Sequence, residues 1–156
     1  MAATQCCGNI MQNTNTVNDA INIRTKISIL WVVILFNMAF ADIVGFAYPG
    51  ALAELMAIGT DGVSFGNADG IVITPGFLLI AAVFIEIAIL MVYLSLVLGR
   101  KASRVANFVA AVLTAVFVIG GGSAKLHYIF FASVEIATLM MIVICLMRYR
   151  LALMAI

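Results

Sequence analysis

Three carboxylates, Asp42, Glu86 and Glu135, lie inside apolar runs of this chain, where the chemistry open to them is that of a proton, cation or ligand site. A charged side chain at the bilayer centre costs about 2.5 to 3.5 kcal/mol on insertion scales, so such groups normally face a bundle interior and carry a function. Glu86 stands in the phrase Glu86-Ile87-Ala88-Ile89-Leu90-Met91, and nearly the same phrase returns as Glu135-Ile136-Ala137-Thr138-Leu139-Met140, an offset of 49 residues (135 − 86). Two acids in matched positions point to one site used twice. Asn37, Tyr93 and His127 are the other groups within reach of such a site. His127, Phe131 and Glu135 step by four residues, which places the imidazole on the same helix face as the acid, toward the mouth of any cavity. No metal set is written in the sequence, and no cofactor is required by it.

A structural alternative stands beside each of these readings. The acids can serve as interhelical glue, hydrogen-bonded to Asn37, Thr114, Thr138 or Tyr93, since polar groups commonly bond across helices in membranes. His127 can be a surface or capping group. Cys6 and Cys7 are adjacent in a polar stretch and only Cys145 lies elsewhere, so neither a disulfide framework nor a zinc pattern can be built.

The elements that must position these residues follow from composition. Of 156 residues, 65% are hydrophobic and only 10% are charged, with a mean hydropathy of +1.22; a soluble domain has about 25% charged residues. The chain therefore reads as an all-α polytopic membrane protein, a four-helix transmembrane bundle in contact with the lipid bilayer. No basic tract is present to follow a nucleic-acid backbone. Residues 1 to 23, rich in Asn and Thr, read as a disordered polar tail. That tail lacks the basic region and short apolar core of a secretory signal peptide, so any export signal would be the first span itself. The spans read as 27 to 48, 75 to 98, 104 to 122 and 125 to 147, within a transmembrane domain of residues 24 to 150, and 151 to 156 read as a C-terminal tail. Pro49-Gly50 ends the first span and Pro75 opens the second. Between them, Pro49 to Ile58 reads as a short surface helix. Thr60-Asp61-Gly62 and Asn67-Ala68-Asp69-Gly70 read as turns and not as a calcium loop, whose regular acidic spacing is missing. On the third span Asn107, Ala110, Ala111, Thr114 and Ala115 share one side as a packing face.

Basic residues fix the expected orientation. Arg24, Lys26, Arg100, Lys101, Arg104, Arg148 and Arg150 flank one side and Lys125 alone the other, so both termini are expected in the cytoplasm, of a bacterial inner membrane, with the long loop outside. The second and fourth spans then run in the same direction, and the repeated phrases suggest two helical hairpins in parallel repeat. In that frame Glu86 lies about 16 Å from the outer end of its span, Glu135 about 14 Å and Asp42 about 9 Å.

The residues from Asn37 to Asp42, the opening Ile73-Thr74-Pro75-Gly76-Phe77-Leu78 and Tyr128-Ile129-Phe130-Phe131 ahead of Glu135 resemble a family of uncharacterised bacterial four-helix membrane proteins. The resemblance covers about residues 25 to 148, and the family is similar in plan to DoxX-like proteins. Likeness to DoxX implies a membrane partner of quinone-linked sulfur oxidation, and no catalytic residue is carried over with it. Three functions are thus expected. One is a binding module whose acids line an outward-facing cavity and hold a small amphipathic ligand, a cation or protons. Another is a redox subunit that docks a quinone. The third is an accessory subunit of a homo-oligomer or larger membrane complex. A single His and one intramembrane Cys cannot supply bis-His haem ligation or a redox cysteine pair. Whether the protein is an enzyme is left open, for no catalytic motif is written in the chain.

Overall fold

The computed structural model of the chain describes residues 2–57, 62, 67–68, 71–121 and 125–154, and the side chains of 23–57, 62, 72–121 and 125–147. Helix α1 spans Ala2–Phe46, α2 Ala51–Met56, α3 Pro75–Val97, α4 Arg100–Gly120 and α5 Leu126–Met154. Four segments are long and apolar enough to cross a membrane: Ile23–Phe46, Pro75–Val97, Arg100–Gly120 and Leu126–Met147. The protein is an all-helical integral membrane protein.

Helix starts and stops obey local chemistry. Thr74 caps α3, its hydroxyl accepting the Phe77 N–H at 3.1 Å, and Pro75 occupies the first helical position, where no N–H is needed. After α1 the chain turns through Tyr48 to Gly50, and Gly50 takes φ +88°, a left-handed conformation that glycine adopts without a Cβ penalty. The short helix α2 follows at once, inside the expected 49 to 58. In the loop beyond it, Asn67 pairs with Val72 and Ala68 with Ile71 as a two-residue antiparallel ladder (β1, Asn67–Ala68; β2, Ile71–Val72). The expected turn at 60 to 62 and the tip of the ladder at 69 and 70 lie mostly outside the described residues.

Both ends of the chain depart from expectation. Residues 2 to 22, read as a disordered tail, continue α1 as helix, and α5 runs past the membrane segment to Met154, through most of the expected C-terminal tail. The physical reason is cooperativity: a span that is already helical has met the nucleation cost, and each further residue adds a hydrogen bond.

The four spans form a ring in the order α1, α3, α4, α5. Each packs on its two neighbours, and among the described residues the diagonal pairs α1/α4 and α3/α5 make no close backbone approach. Small side chains decide which face of α3 and α4 turns inward. Ala88 and Ser95 on α3, and Ser103, Ala110 and Ala111 on α4, are buried, and such residues let membrane helices approach closely. Large apolar side chains on the outside, such as Phe108, Val116 and Ile119, are left to lipid.

Candidate functional site

The bundle has two unlike ends, one carrying Arg24, Arg100, Lys101 and Arg104 (the basic end) and one carrying α2 (the loop end). At the basic end polar side chains close on one another. Trp31 Nε1 reaches across the ring diagonal and donates to Asn107 Oδ1 at 2.7 Å. Asn107 Nδ2 donates to the Ser103 carbonyl at 2.7 Å, and Ser95 Oγ lies 3.1 Å from Asn107 Oδ1. Ser95 also faces the Met91 carbonyl, and its one proton serves one acceptor at a time. Ser28 Oγ donates to the Val92 carbonyl at 2.8 Å and Arg24 to the Leu96 carbonyl at 3.3 Å, tying α1 to α3. With Trp31, Asn107 and Ser95 fully buried, this end is a closed lock.

Toward the loop end lies a cavity of about 570 Å³, walled by all four spans and α2. Its walls are mostly apolar: Met38, Phe77, Ile85, Phe117, Val118 and Phe131 among them. Phe84 of α3 stacks on the wall residue Phe117 of α4 at 4.6 Å between centroids. Against this surface stand the polar groups Asp42, Glu54, Lys125, His127, Tyr128 and Glu135.

Glu135 is the buried acid, 5% exposed, and the Asn37 side chain lies within reach of its carboxyl. Asn37 Nδ2 donates to the Phe131 carbonyl at 2.9 Å, which fixes the amide between α1 and α5. Asp42, on α1 five residues beyond Asn37, shares the cavity and lies close enough to Glu135 for their charges to interact. The Tyr128 hydroxyl donates to the Val118 carbonyl at 2.7 Å, joining α5 to α4 at the same level. Near the rim Tyr48 carries Lys125 Nζ 4.4 Å from its ring centroid, and its ring lies 5.9 Å from that of His127. A cation over a ring face is attracted by the ring quadrupole, which orders this rim.

Of the residues singled out from the sequence, Asp42, Glu135 and His127 line the cavity and Asn37 stands beside Glu135. Glu86 and Tyr93 do not join them. Both side chains are exposed on the outer face of α3, so the expectation that Glu86 and Glu135 share one interior is corrected. The reason lies in helix phase: the inward face of α3 is set by Ala88, Met91 and Ser95, and Glu86, two residues before Ala88, points about 200° away. The proposed glue is likewise altered. Thr138 donates to the Val134 carbonyl of its own helix, and Thr114 Oγ1 is buried without a partner among the described residues. Sequence reasoning missed Glu54, Tyr128 and Lys125 at the cavity and Trp31 at the lock. Trp31 had a signal, being the one Trp of the chain and needing a partner for its N–H when buried. No group of three or more metal-ligating side chains occurs among the described residues.

Comparison with known proteins gives one family: its profile, described as a family of unknown function (DUF6326), matches residues 17–155. No curated protein and no solved structure matches the chain.

Proposed function

The chain belongs to the DUF6326 family, whose function is unknown, and from that premise we propose that it is a membrane binding protein for a small amphipathic molecule held in the loop-end cavity. One observation carries the reading: about 570 Å³ of mostly apolar cavity, with Asp42 and Glu135 converging on it. Ligand pockets run from about 300 to 1,000 Å³ and pair apolar walls with a few placed polar groups. Carboxylates accept hydrogen bonds and attract positive charge, so the polar end of the ligand is a cation or a hydrogen-bond donor. The apolar body rests on Phe77, Phe117 and Phe131. Lys125 and His127 stand at the rim.

By the distribution of basic residues the loop end faces outward, with both termini in the cytoplasm of a bacterial cell. Single cysteines at Met56 and at Ala102, both exposed positions, test this. With the natural cysteines replaced, an impermeant maleimide is expected to label the first alone from outside intact cells. Labelling of the second from outside would reverse the orientation.

A second reading takes a quinone as the occupant, in line with the likeness to DoxX-like proteins. The aromatic rings Phe77, Phe117, Phe131 and Tyr128 in one cavity favour it, since such rings stack on a planar headgroup. Native mass spectrometry and absorbance of the detergent-purified protein separate the two. A retained basic or donor-bearing small molecule, lost from Glu135→Gln and from Asp42→Asn while both variants melt within about 2 °C of the parent, supports the first. A retained quinone chromophore supports the second. Variants that keep every bound molecule overturn a role for the acids.

A further inference from the structure

The charges around the loop-end cavity are unevenly placed. Glu135 is buried and Asp42 is exposed, and the two lie close enough for their charges to interact. Among the described residues, the other titratable groups on the wall are Glu54 on α2 and Lys125, His127 and Tyr128 around the start of α5, while α3 and α4 bring none. Lys125 and His127 precede Glu135 by 10 (135 − 125) and 8 (135 − 127) residues, which sets them about 15 and 12 Å away along the helix. Lys125 is held at the rim, over the Tyr48 ring. The two acids thus face the cavity with no positive side chain beside them among the described residues. The same walls bring the rings of Phe46, Phe77, Phe117, Tyr128 and Phe131, and a group of aromatic rings attracts an organic cation through their quadrupoles.

We propose that the occupant of this cavity is a hydrophobic organic cation, and that cation and proton compete for Asp42 and Glu135, so that filling the cavity releases protons to water. The inference rests on the binding reading above and narrows it from a cation or a donor to a cation alone. A neutral donor leaves the charges of the two acids facing each other across apolar walls. A cation set between the acids and the rings offsets them, and the attraction is stronger there than in bulk water. A proton meets the same need, and a carboxyl that carries one no longer attracts a positive charge. The exchange balances: a carboxyl O–H bond breaks, the proton leaves to water, and the charge of the ligand takes its place. Two interacting carboxyls titrate as a pair, so occupancy and pH are coupled through both of them. Asp42, the exposed acid, is where water meets the pair, and Glu135 is its buried member.

The test uses the full chain in detergent and two probes of the same shape and opposite charge, tetraphenylphosphonium and tetraphenylborate. The phosphonium carries no acidic proton, so any proton that appears comes from the protein. Calorimetric titrations in two buffers of different ionisation enthalpy are expected to show phosphonium binding with proton release. Its apparent affinity should rise with pH, by up to about tenfold per unit for each proton exchanged, and the borate should not bind. Glu135→Gln is expected to weaken phosphonium binding about tenfold or more and to flatten the pH slope. Ala81→Trp, which fills the cavity from α3, is expected to abolish binding. The pH series on the parent needs no substitution, so a variant that fails to fold does not decide the outcome. Borate bound as well as phosphonium, or an affinity level across pH, overturns the inference and leaves the binding cavity standing. A slope that survives Glu135→Gln and vanishes in His127→Gln assigns the proton to the rim imidazole, which titrates near neutral pH, and overturns the exchange at the acids. Phosphonium binding that is absent, or unaltered in Ala81→Trp, also overturns the inference, and native mass spectra with no retained molecule would remove the binding reading with it.

Discussion

The two ends of the bundle treat polar side chains in opposite ways. At the basic end Trp31, Asn107, Ser103 and Ser95 answer one another's donors and acceptors, and the helices close around them. At the loop end Asp42, Glu54 and Glu135 stand with Lys125, His127 and Tyr128 around a cavity, and Asn37 ties α1 to α5 beside them. Polar residues inside a membrane thus stand in two ways here: at one end they bond to one another and lock helices together, with Arg104 Nε left buried without a partner among the described residues, and at the other they surround a cavity, where the proposed binding would take place. Composition alone does not tell the two apart.

The comparison breaks most visibly at the lock. Asn107 serves Trp31 on α1, Ser95 on α3 and its own helix at Ser103. Asn107→Leu keeps the bulk yet strands the Trp31 N–H, so it is expected to cost about 2 kcal/mol, within the range for a buried group left unpaired. The check is a reversible SDS or thermal unfolding titration. A loss under about 0.5 kcal/mol would mean that the lock is incidental and that apolar packing alone closes this end.

Trp31→Phe sharpens the same point on a smaller scale. The ring stays apolar, the donor is lost, and Asn107 Oδ1 still has Ser95 nearby. About 1 kcal/mol of destabilisation is expected, the usual value of one hydrogen bond plus a little lost volume. A variant as damaging as Asn107→Leu would assign the effect to the indole volume and not to its N–H. In a double-mutant cycle the two changes should be strongly non-additive, because they share one bond.

Much of the plan was legible in the sequence, and the failures were failures of phase. Four spans, Pro75 as a helix start and the short helix after Pro49 follow from apolar length and from turn chemistry, which are local properties. The inward face of each span is not local. Glu86 and Glu135 sit in nearly the same phrase, yet Glu135 lies three residues before Thr138 on the buried stripe of α5, whereas the small-residue stripe of α3 runs through Ala81, Ala88 and Ser95 on the opposite side from Glu86. Reading the small residues as the marker of the interior would have separated the two acids. The cavity itself was not legible, because residues of five elements, α1 to α5, wall it, and no local pattern encodes how those elements come together.

The smallest expected effect lies at the boundary between the two ends, at Thr114. Thr114 is 2% exposed, lies one turn from the cavity wall at Val118 and one face-repeat from Asn107, and its buried hydroxyl has no partner among the described residues. A buried hydroxyl without a hydrogen bond costs free energy that valine, nearly equal in shape, does not. Thr114→Val is therefore expected to leave stability unchanged or raise it by up to about 1 kcal/mol, with the lock and the cavity both intact. The opposite sign is the informative one. If Thr114→Val lowers stability by about 1 kcal/mol or releases the bound molecule that the parent retains, the hydroxyl is bonded when the protein is at work. The space that Asp42 and Glu135 line would then extend beneath Val118 toward Asn107, and the boundary between the open and the closed end would move one helical turn deeper. Unfolding titrations and native mass spectra of the purified variant read both outcomes.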